Sequence, residues 1–207
     1  MVANNLNVGL ITAADGSQPI ARANRTGSQC VVYGNSYYSE PANRGKIFEA
    51  CNAVAGVAHG TAFSTTPPMT IWNPPNSGVF LNILKISMGY VSGTLGAGSI
   101  AYGYTIGQST APSTGTALTP VCTLLGAPAG QGKAYTGSTI TAAPSILRTG
   151  FTIGAFVGGA NPPVTTADVI DGAISVPPGT CFSVQGIAGA GTSPLVMFSV
   201  AWEEVPL

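Results

Sequence analysis

Residues that carry acid–base or nucleophilic chemistry are scarce in this chain. It has a single histidine, His59, within residues 57–60. A serine or cysteine hydrolase needs such an imidazole beside a nucleophile and an acid. The sequence contains no G-x-S-x-G motif, the sharp turn that exposes a catalytic serine in many hydrolases. We therefore interpret His59 as a structural or surface histidine.

The carboxylates and cysteines show no spacing typical of an active site or a metal site. Glu203 and Glu204 are adjacent, so on a strand they point to opposite faces and cannot act as a pair. Asp168 and Asp171 flank two apolar residues and resemble solvated residues at a strand end. One histidine and four widely spaced cysteines lack zinc-ligand spacing. We predict that the chain is not an enzyme and holds no metal.

Two glycine motifs resemble nucleotide-binding loops but stand in the wrong context. Residues 96–101 fit G-x-G-x-x-A, yet they lead into a predicted strand, and no acidic residue follows within about 20 positions. The Gly132-Lys133 pair lacks the glycine at position 127 and the Ser or Thr at position 134 that a P-loop requires. We predict that no cofactor is bound.

Charged residues make up only 7% of the 207 residues, and seven positive and seven negative side chains cancel. This composition disfavours nucleic acid as a partner, because neutralising phosphates requires clustered Lys and Arg. Residues 86–132 and 172–202 contain no charge. Strand faces there are built of small residues that allow another layer to approach closely. We therefore predict self-association that covers part of this surface.

The sequence shows neither a membrane span nor a secretory signal. The longest dense apolar run, residues 79–91, contains Lys85 and is shorter than the roughly 20 apolar residues of a span. Residues 1–10 lack the basic and apolar regions of a signal peptide. We expect synthesis in a cytoplasm, where the four cysteines stay free thiols. These are Cys30, Cys51, Cys122 and Cys181.

Composition divides the chain at residue 46. Residues 1–46 hold six of the 14 charges and are predicted to form an extended N-terminal arm with a first β piece. Arg22 and Arg25 lie three positions apart with no acid between them. Guanidinium groups form charge-assisted hydrogen bonds with carboxylates and carbonyls. We predict that these two residues contact a neighbouring subunit.

Residues 47–207 show short apolar runs separated by turns rich in Gly, Pro, Ser and Thr. Period-two alternation is clearest in residues 100–106 and 196–202. About ten such segments predict an all-β sandwich or barrel; a helix over residues 47–58 is a weaker alternative. The predicted strands are 47–52, 57–63, 69–72, 79–91, 100–106, 118–125, 151–157, 169–176, 180–187 and 196–202.

The aromatic residues are interpreted first as core or interface residues. Tyr102 and Tyr104 share a predicted strand face with Ile100 and Ile106. Trp202 shares one with Phe198 and Val200, and we predict that these three face the core of the sandwich. The residues assigned to core or interface are Trp72, Tyr102, Tyr104 and Trp202. A platform for stacking sugars is the alternative. Its members would be Tyr33, Tyr37, Tyr38, Trp72, Tyr90, Tyr102 and Tyr104.

Two segments resemble small jelly-roll structural proteins of tailed bacteriophage particles. The first is the turn Ile-Trp-Asn-Pro-Pro-Asn-Ser-Gly at residues 71–78, followed by the apolar run 79–86. The second is the order of the C-terminal third: the Pro-Pro-Gly turn within residues 174–179, a strand, and a closing strand that ends in residues 202–207. The resemblance covers residues 30–207.

The resemblance implies a jelly-roll-type antiparallel β-sandwich that assembles as a homotrimer on the virion. Its implied role is to decorate or reinforce the particle, in contact with the major capsid protein or another virion protein. The chain would then be made in the host bacterial cytoplasm and end in the virion. The alternative is a lectin-like, carbohydrate-binding adhesin module that uses the loops around Trp72 or residues 107–119.

Overall fold

A computed structural model describes residues 37–154, 165–187 and 191–207. Within them strands account for 59% and helix for 3%. The helix, α1, covers Ser39–Asn43. The strands are β1 Ile47–Cys51, β2 Met69–Asn73, β3 Val79–Leu95, β4 Gly98–Ile106, β5 Thr116–Leu118, β6 Val121–Cys122, β7 Lys133–Thr136, β8 Ser145–Ile153, β9 Thr165–Val176, β10 Thr180–Ile187 and β11 Gly191–Pro206.

The chain divides into two units, Met1–Glu40 and Pro41–Leu207, and all eleven strands belong to the second. Most of the predicted N-terminal arm, including Arg22 and Arg25, lies outside the described residues. The same holds for residues 155–157 of one predicted strand and for Cys30 and Tyr33.

The strands form two antiparallel sheets. Sheet 1 has the order β6-β1-β11-β3-β9, and sheet 2 has the order β5-β7-β2-β10-β4-β8. Eight strands remain when the short strands β5, β6 and β7 are set aside. If these eight are renumbered from 1 to 8 in chain order, sheet 1 has the order 1-8-3-6 and sheet 2 has the order 2-7-4-5. This is the double Greek key of a jelly roll. The predicted all-β jelly-roll sandwich is confirmed.

The hydrophobic core lies between the sheets and follows the period-two pattern. In β11, Val196, Phe198, Val200 and Trp202 are fully buried, whereas the residues between them are partly exposed. Side chains from sheet 2 meet them from the other side, with Tyr102 packed 5.8 Å, centroid to centroid, from the ring of Phe182. The predicted inward orientation of residues 198, 200 and 202 is confirmed.

The outer face of sheet 2 is covered by the chain's own connections. Gly103, Ser183 and Gln185 all lie on buried positions of β4 and β10. A Cβ at Gly103 would collide with the ring of Phe63, and the Gln185 carboxamide oxygen accepts the Ser64 N–H at 3.0 Å. The small residues of this face therefore admit a loop of the same chain, rather than the partner layer expected from the sequence.

Several predicted strands need correction. Residues 57–63 form a loop joined to β11 by a single bridge, Val57 to Val196, because Gly56 and Gly60 take positive φ angles and turn the chain. Residues 118–125 are split between the end of β5, the two-residue β6 and a loop. Residues 47–51 are strand, so the helix alternative over 47–58 is wrong. Strand β7 and residues 145–150 of β8 were not predicted.

Candidate interaction surface

The single histidine has no catalytic partner within the described part of the chain. His59 is 2% exposed, and its Nδ1 donates a hydrogen bond to the Gly60 carbonyl at 2.5 Å. Its backbone carbonyl accepts the N–H of Gly186 on β10. In this position the imidazole occupies the space that a Cβ on Gly186 would fill. That placement agrees with the structural role inferred from the sequence.

The carboxylates are used to hold the sandwich together. Asp168 of β9 accepts a hydrogen bond from the Arg148 guanidinium of β8 at 2.6 Å, which links the edges of the two sheets. Asp168 is therefore ion-paired, and it is not a freely solvated residue at a strand end. The Arg148 guanidinium also lies 5.8 Å from the centroid of the Tyr102 ring. Burial first, and then the charge of Asp168, raise the pKa of Tyr102.

Glu204 has a comparable structural role at one end of the sandwich. It is 6% exposed, and its carboxylate accepts the backbone N–H of Gln131 at 3.0 Å and of Gly132 at 2.8 Å. Glu203 and Glu204 lie on opposite faces of β11, as predicted from their adjacency. Among the described residues, no group of three or more His, Cys, Asp or Glu could hold a metal ion.

The four aromatic residues assigned to core or interface occupy different surroundings. Tyr102 and Trp202 are fully buried in the main core. Trp72, 8% exposed, belongs to a small separate cluster with Cys181 and Ile140, and its Nε1 donates to the Gln108 carbonyl at 3.0 Å. Tyr104 is 38% exposed and lies outside both clusters. Trp72 and Tyr102 are thus withdrawn from any sugar-stacking surface.

Tyr104 marks an apolar groove at the open edge of the sandwich, with a volume of about 380 Å³. The exposure of inward-facing residues along β4 rises from 0% at Ile100 and Tyr102 to 38% at Tyr104 and 71% at Ile106. The face that starts in the core thus continues past the part that sheet 1 covers. The groove is lined by Tyr104, Ile106, Leu147, Ala173, Ile174, Ser175, Val176, Pro177, Thr180, Cys181 and Phe182.

An irregularity in β9 lies directly beside this groove. Ile174 pairs with Ile83 and Val169 pairs with Lys85, so four residues of β9 stand opposite Leu84 alone. Asp171 within this bulge takes a positive φ of 50°, which few residues other than glycine adopt without strain. Bulges bend a strand and disturb its ladder. The bulge therefore makes the β9 edge a poor template for adding another strand. The apolar side chains of the groove are the feature of this edge that is available for binding.

None of the groove residues is charged, and Leu147 is 44% exposed beside Ile106. Exposed apolar surface of this kind marks binding sites for proteins or other apolar partners. The alternation of residues 100–106 predicts that Tyr104 and Ile106 share one strand face, but it does not predict the groove. The feature of the sequence that indicates the groove is the apolar alternation, which continues to Ile106, the last residue of β4.

No protein-family model, curated protein or solved structure matches the chain. In the described ranges no helix has the length and apolar character needed to cross a membrane.

Proposed function

We propose that this chain is a structural protein of a tailed bacteriophage particle that decorates or reinforces the particle as a homo-oligomer, most simply a trimer. The jelly-roll sandwich is an architecture used by viral capsid domains. The turn at residues 71–78 and the C-terminal third resemble those of small virion proteins. The proposal rests mainly on the exposed apolar groove in a chain with only 7% charged residues.

In this proposal the work of the protein is mechanical. Several copies of one chain present several weak contacts to a repetitive particle surface, and their simultaneous engagement raises the overall affinity far above that of one contact. Arg22 and Arg25 are proposed to form charge-assisted hydrogen bonds with the major capsid protein or another virion protein. Both residues lie outside the described ranges, so their part of the proposal rests on the sequence.

Quantitative mass spectrometry of purified phage particles tests the proposed location. The expected result is a fixed copy number of this chain relative to the major capsid protein, retained through repeated density-gradient purification. Particles that lack the chain, or lose it progressively in each gradient, would contradict the proposal.

Deletion of residues 2–28 tests the attachment by the arm. We expect the truncated protein to keep its melting temperature within a few degrees of the intact chain and to bind purified particles more weakly. The double change Arg22→Ala and Arg25→Ala should also weaken binding. A matched control is Lys85→Ala, which removes one exposed charge from sheet 1. Full particle binding by the truncated protein would place attachment in the β-sandwich.

The lectin-like adhesin is the second candidate, because Tyr104 remains as an exposed aromatic residue in a groove. It differs in one measurable property, since a structural protein is expected to bind no glycan. A glycan array gives the discrimination, and saturable binding that Tyr104→Ala removes would favour the adhesin.

A further inference from the structure

Two exposed leucines project from the connection between β6 and β7. Leu125 is 83% exposed and Leu124 is 44% exposed, and Val121 of β6 beside them is 53% exposed. We call Leu124 and Leu125 the leucine knob. Like most of the groove, the knob belongs to a stretch without charged residues, since residues 86–132 contain none.

The knob and the groove lie on opposite edges of the sandwich. β6 and β9 are the two outer strands of sheet 1. One row of paired residues crosses the whole sheet between them: Cys122, Phe48, Trp202, Ile83 and Ile174. Neighbouring strands lie about 4.8 Å apart, so the row spans about 19 Å.

The same row connects the groove with the strand that leads into the knob. Ile174, at one end of the row, lines the groove. Cys122, at the other end, precedes the knob by two residues. The groove and the connection that carries the knob therefore lie at the two ends of one row of paired residues, on opposite edges of sheet 1, so a contact between knob and groove needs a second copy of the chain.

We propose that the leucine knob of one copy inserts into the groove of the next copy. This inference rests on the homo-oligomer proposed above and names its contact surfaces. A contact between two different surfaces of the same chain is heterologous, and it forms a closed ring when a rotation without rise relates the copies. The contact also removes from water the apolar residues Ile106, Leu147 and Leu125, which the sandwich leaves exposed.

Two single variants test the contact from its two sides. Leu125→Asp places a charge on the knob, and Ile106→Asp places one in the groove. Both side chains are more than two-thirds exposed, so neither change alters the core. By light scattering coupled to gel filtration at micromolar concentration, each variant should be monomeric where the unaltered chain is oligomeric. Val54→Asp is the matched control, because Val54 is 84% exposed and lies in the β1–β2 connection; it should remain oligomeric.

A mixture of the two variants gives the sharper result. The Ile106→Asp chain keeps an intact knob, and the Leu125→Asp chain keeps an intact groove, so an equal mixture should form one-to-one heterodimers. A mixture that remains monomeric would overturn the pairing of knob with groove. If both variants remain oligomeric, the knob–groove contact is wrong while the homo-oligomer stands. A monomeric unaltered chain would instead overturn the homo-oligomer itself.

A covalent test covers the case in which either aspartate variant is poorly folded, as judged by its circular dichroism. Leu125→Cys and Ile106→Cys are combined in a chain whose exposed Cys51 and whose Cys30 are replaced by serine and whose groove-lining Cys181 is replaced by alanine. Oxidation should then yield disulfide-linked oligomers on non-reducing electrophoresis, and either single cysteine variant should yield none. Exclusively monomeric chains after oxidation would overturn the contact.

Discussion

Removal of the Trp202 indole should be one of the most destabilising single changes in the sandwich. Trp202 is 0% exposed at the centre of sheet 1, and its ring stacks on that of Phe48 with centroids 6.3 Å apart and planes 29° apart. Tryptophan buries roughly 150–250 Å², which at about 25 cal/mol per Å² corresponds to about 4–6 kcal/mol. Since alanine keeps part of this burial and a cavity remains, we expect Trp202→Ala to cost about 3–5 kcal/mol.

A second substitution separates the packing of the indole from its polarity. Among the described residues no hydrogen-bond acceptor is paired with the buried Trp202 Nε1. A buried donor without a partner costs about 1–3 kcal/mol. Trp202→Phe removes this donor and retains a ring against Phe48. We therefore expect Trp202→Phe to cost under about 1 kcal/mol, because the lost apolar area is offset by the lost unpaired N–H.

Urea unfolding followed by circular dichroism measures both effects, through the midpoint at an unchanged m-value. All variants are compared at one protein concentration, because self-association makes apparent stability depend on it. Ala201→Ser, on the outward face beside Trp202, is the control and should change stability by less than about 0.5 kcal/mol. A loss below about 1 kcal/mol for Trp202→Ala would refute the burial argument. Equal losses for the alanine and phenylalanine variants would refute the argument from the unpaired N–H.

Three further predictions concern hydrogen bonds and thiols. The Asn73 side chain donates hydrogen bonds to the carbonyls of Val79 and Val176, both at 2.8 Å, and so connects β2 to sheet 1. In urea unfolding, Asn73→Asp should destabilise the protein more than Asn73→Ala, because the aspartate buries a negative charge against two acceptors. Burial raises the pKa of the Cys181 thiol from 9.0 to about 12. The free energy of unfolding should therefore be unaffected by this thiol below pH 9 and should fall towards pH 12, because the unfolded chain loses the thiol proton first. On alkaline titration the fall should be shallower in Cys181→Ala. Cys51, Cys122 and Cys181 are free, so a reducing agent should leave the melting temperature unchanged and Cys51 should react with iodoacetamide before Cys181.

The sequence predicted the fold well where the two-residue alternation of a strand determines which side chains are buried. Residues 196–202 carry a large apolar side chain at every even position, and β11 buries these side chains as expected. Residues 57–63 carry a comparable run of apolar and small residues, yet they form a loop. Their surroundings come from distant parts of the chain: Val57 bridges to Val196 of β11, His59 packs on Gly186 of β10, and Phe63 packs on Gly103 of β4. A contact so distant in sequence leaves no periodic signal.

The candidate site was less predictable than the fold, for a related reason. Ile100, Tyr102, Tyr104 and Ile106 lie on one strand face, and the sequence treats them alike. Their exposure differs from 0% to 71% because sheet 1 covers only the first two. How far one sheet overlaps another depends on the register and bulges of β9, which the sequence of β4 does not encode. The groove is therefore a property of two sheets and not of one motif.

The uncharged stretches need two explanations rather than one. Much of their small-residue surface is buried inside the chain itself, since Gly103, Ser183 and Gln185 lie beneath its own loops. Low charge at those positions is no evidence for a partner. The apolar residues that stay exposed in the same stretches include Ile106 and Leu125, and these lie on opposite edges of the sandwich. Association is therefore expected at the edges of the sheets and not at their faces, because at the edges a single copy leaves apolar side chains exposed to water and a neighbouring copy would cover them.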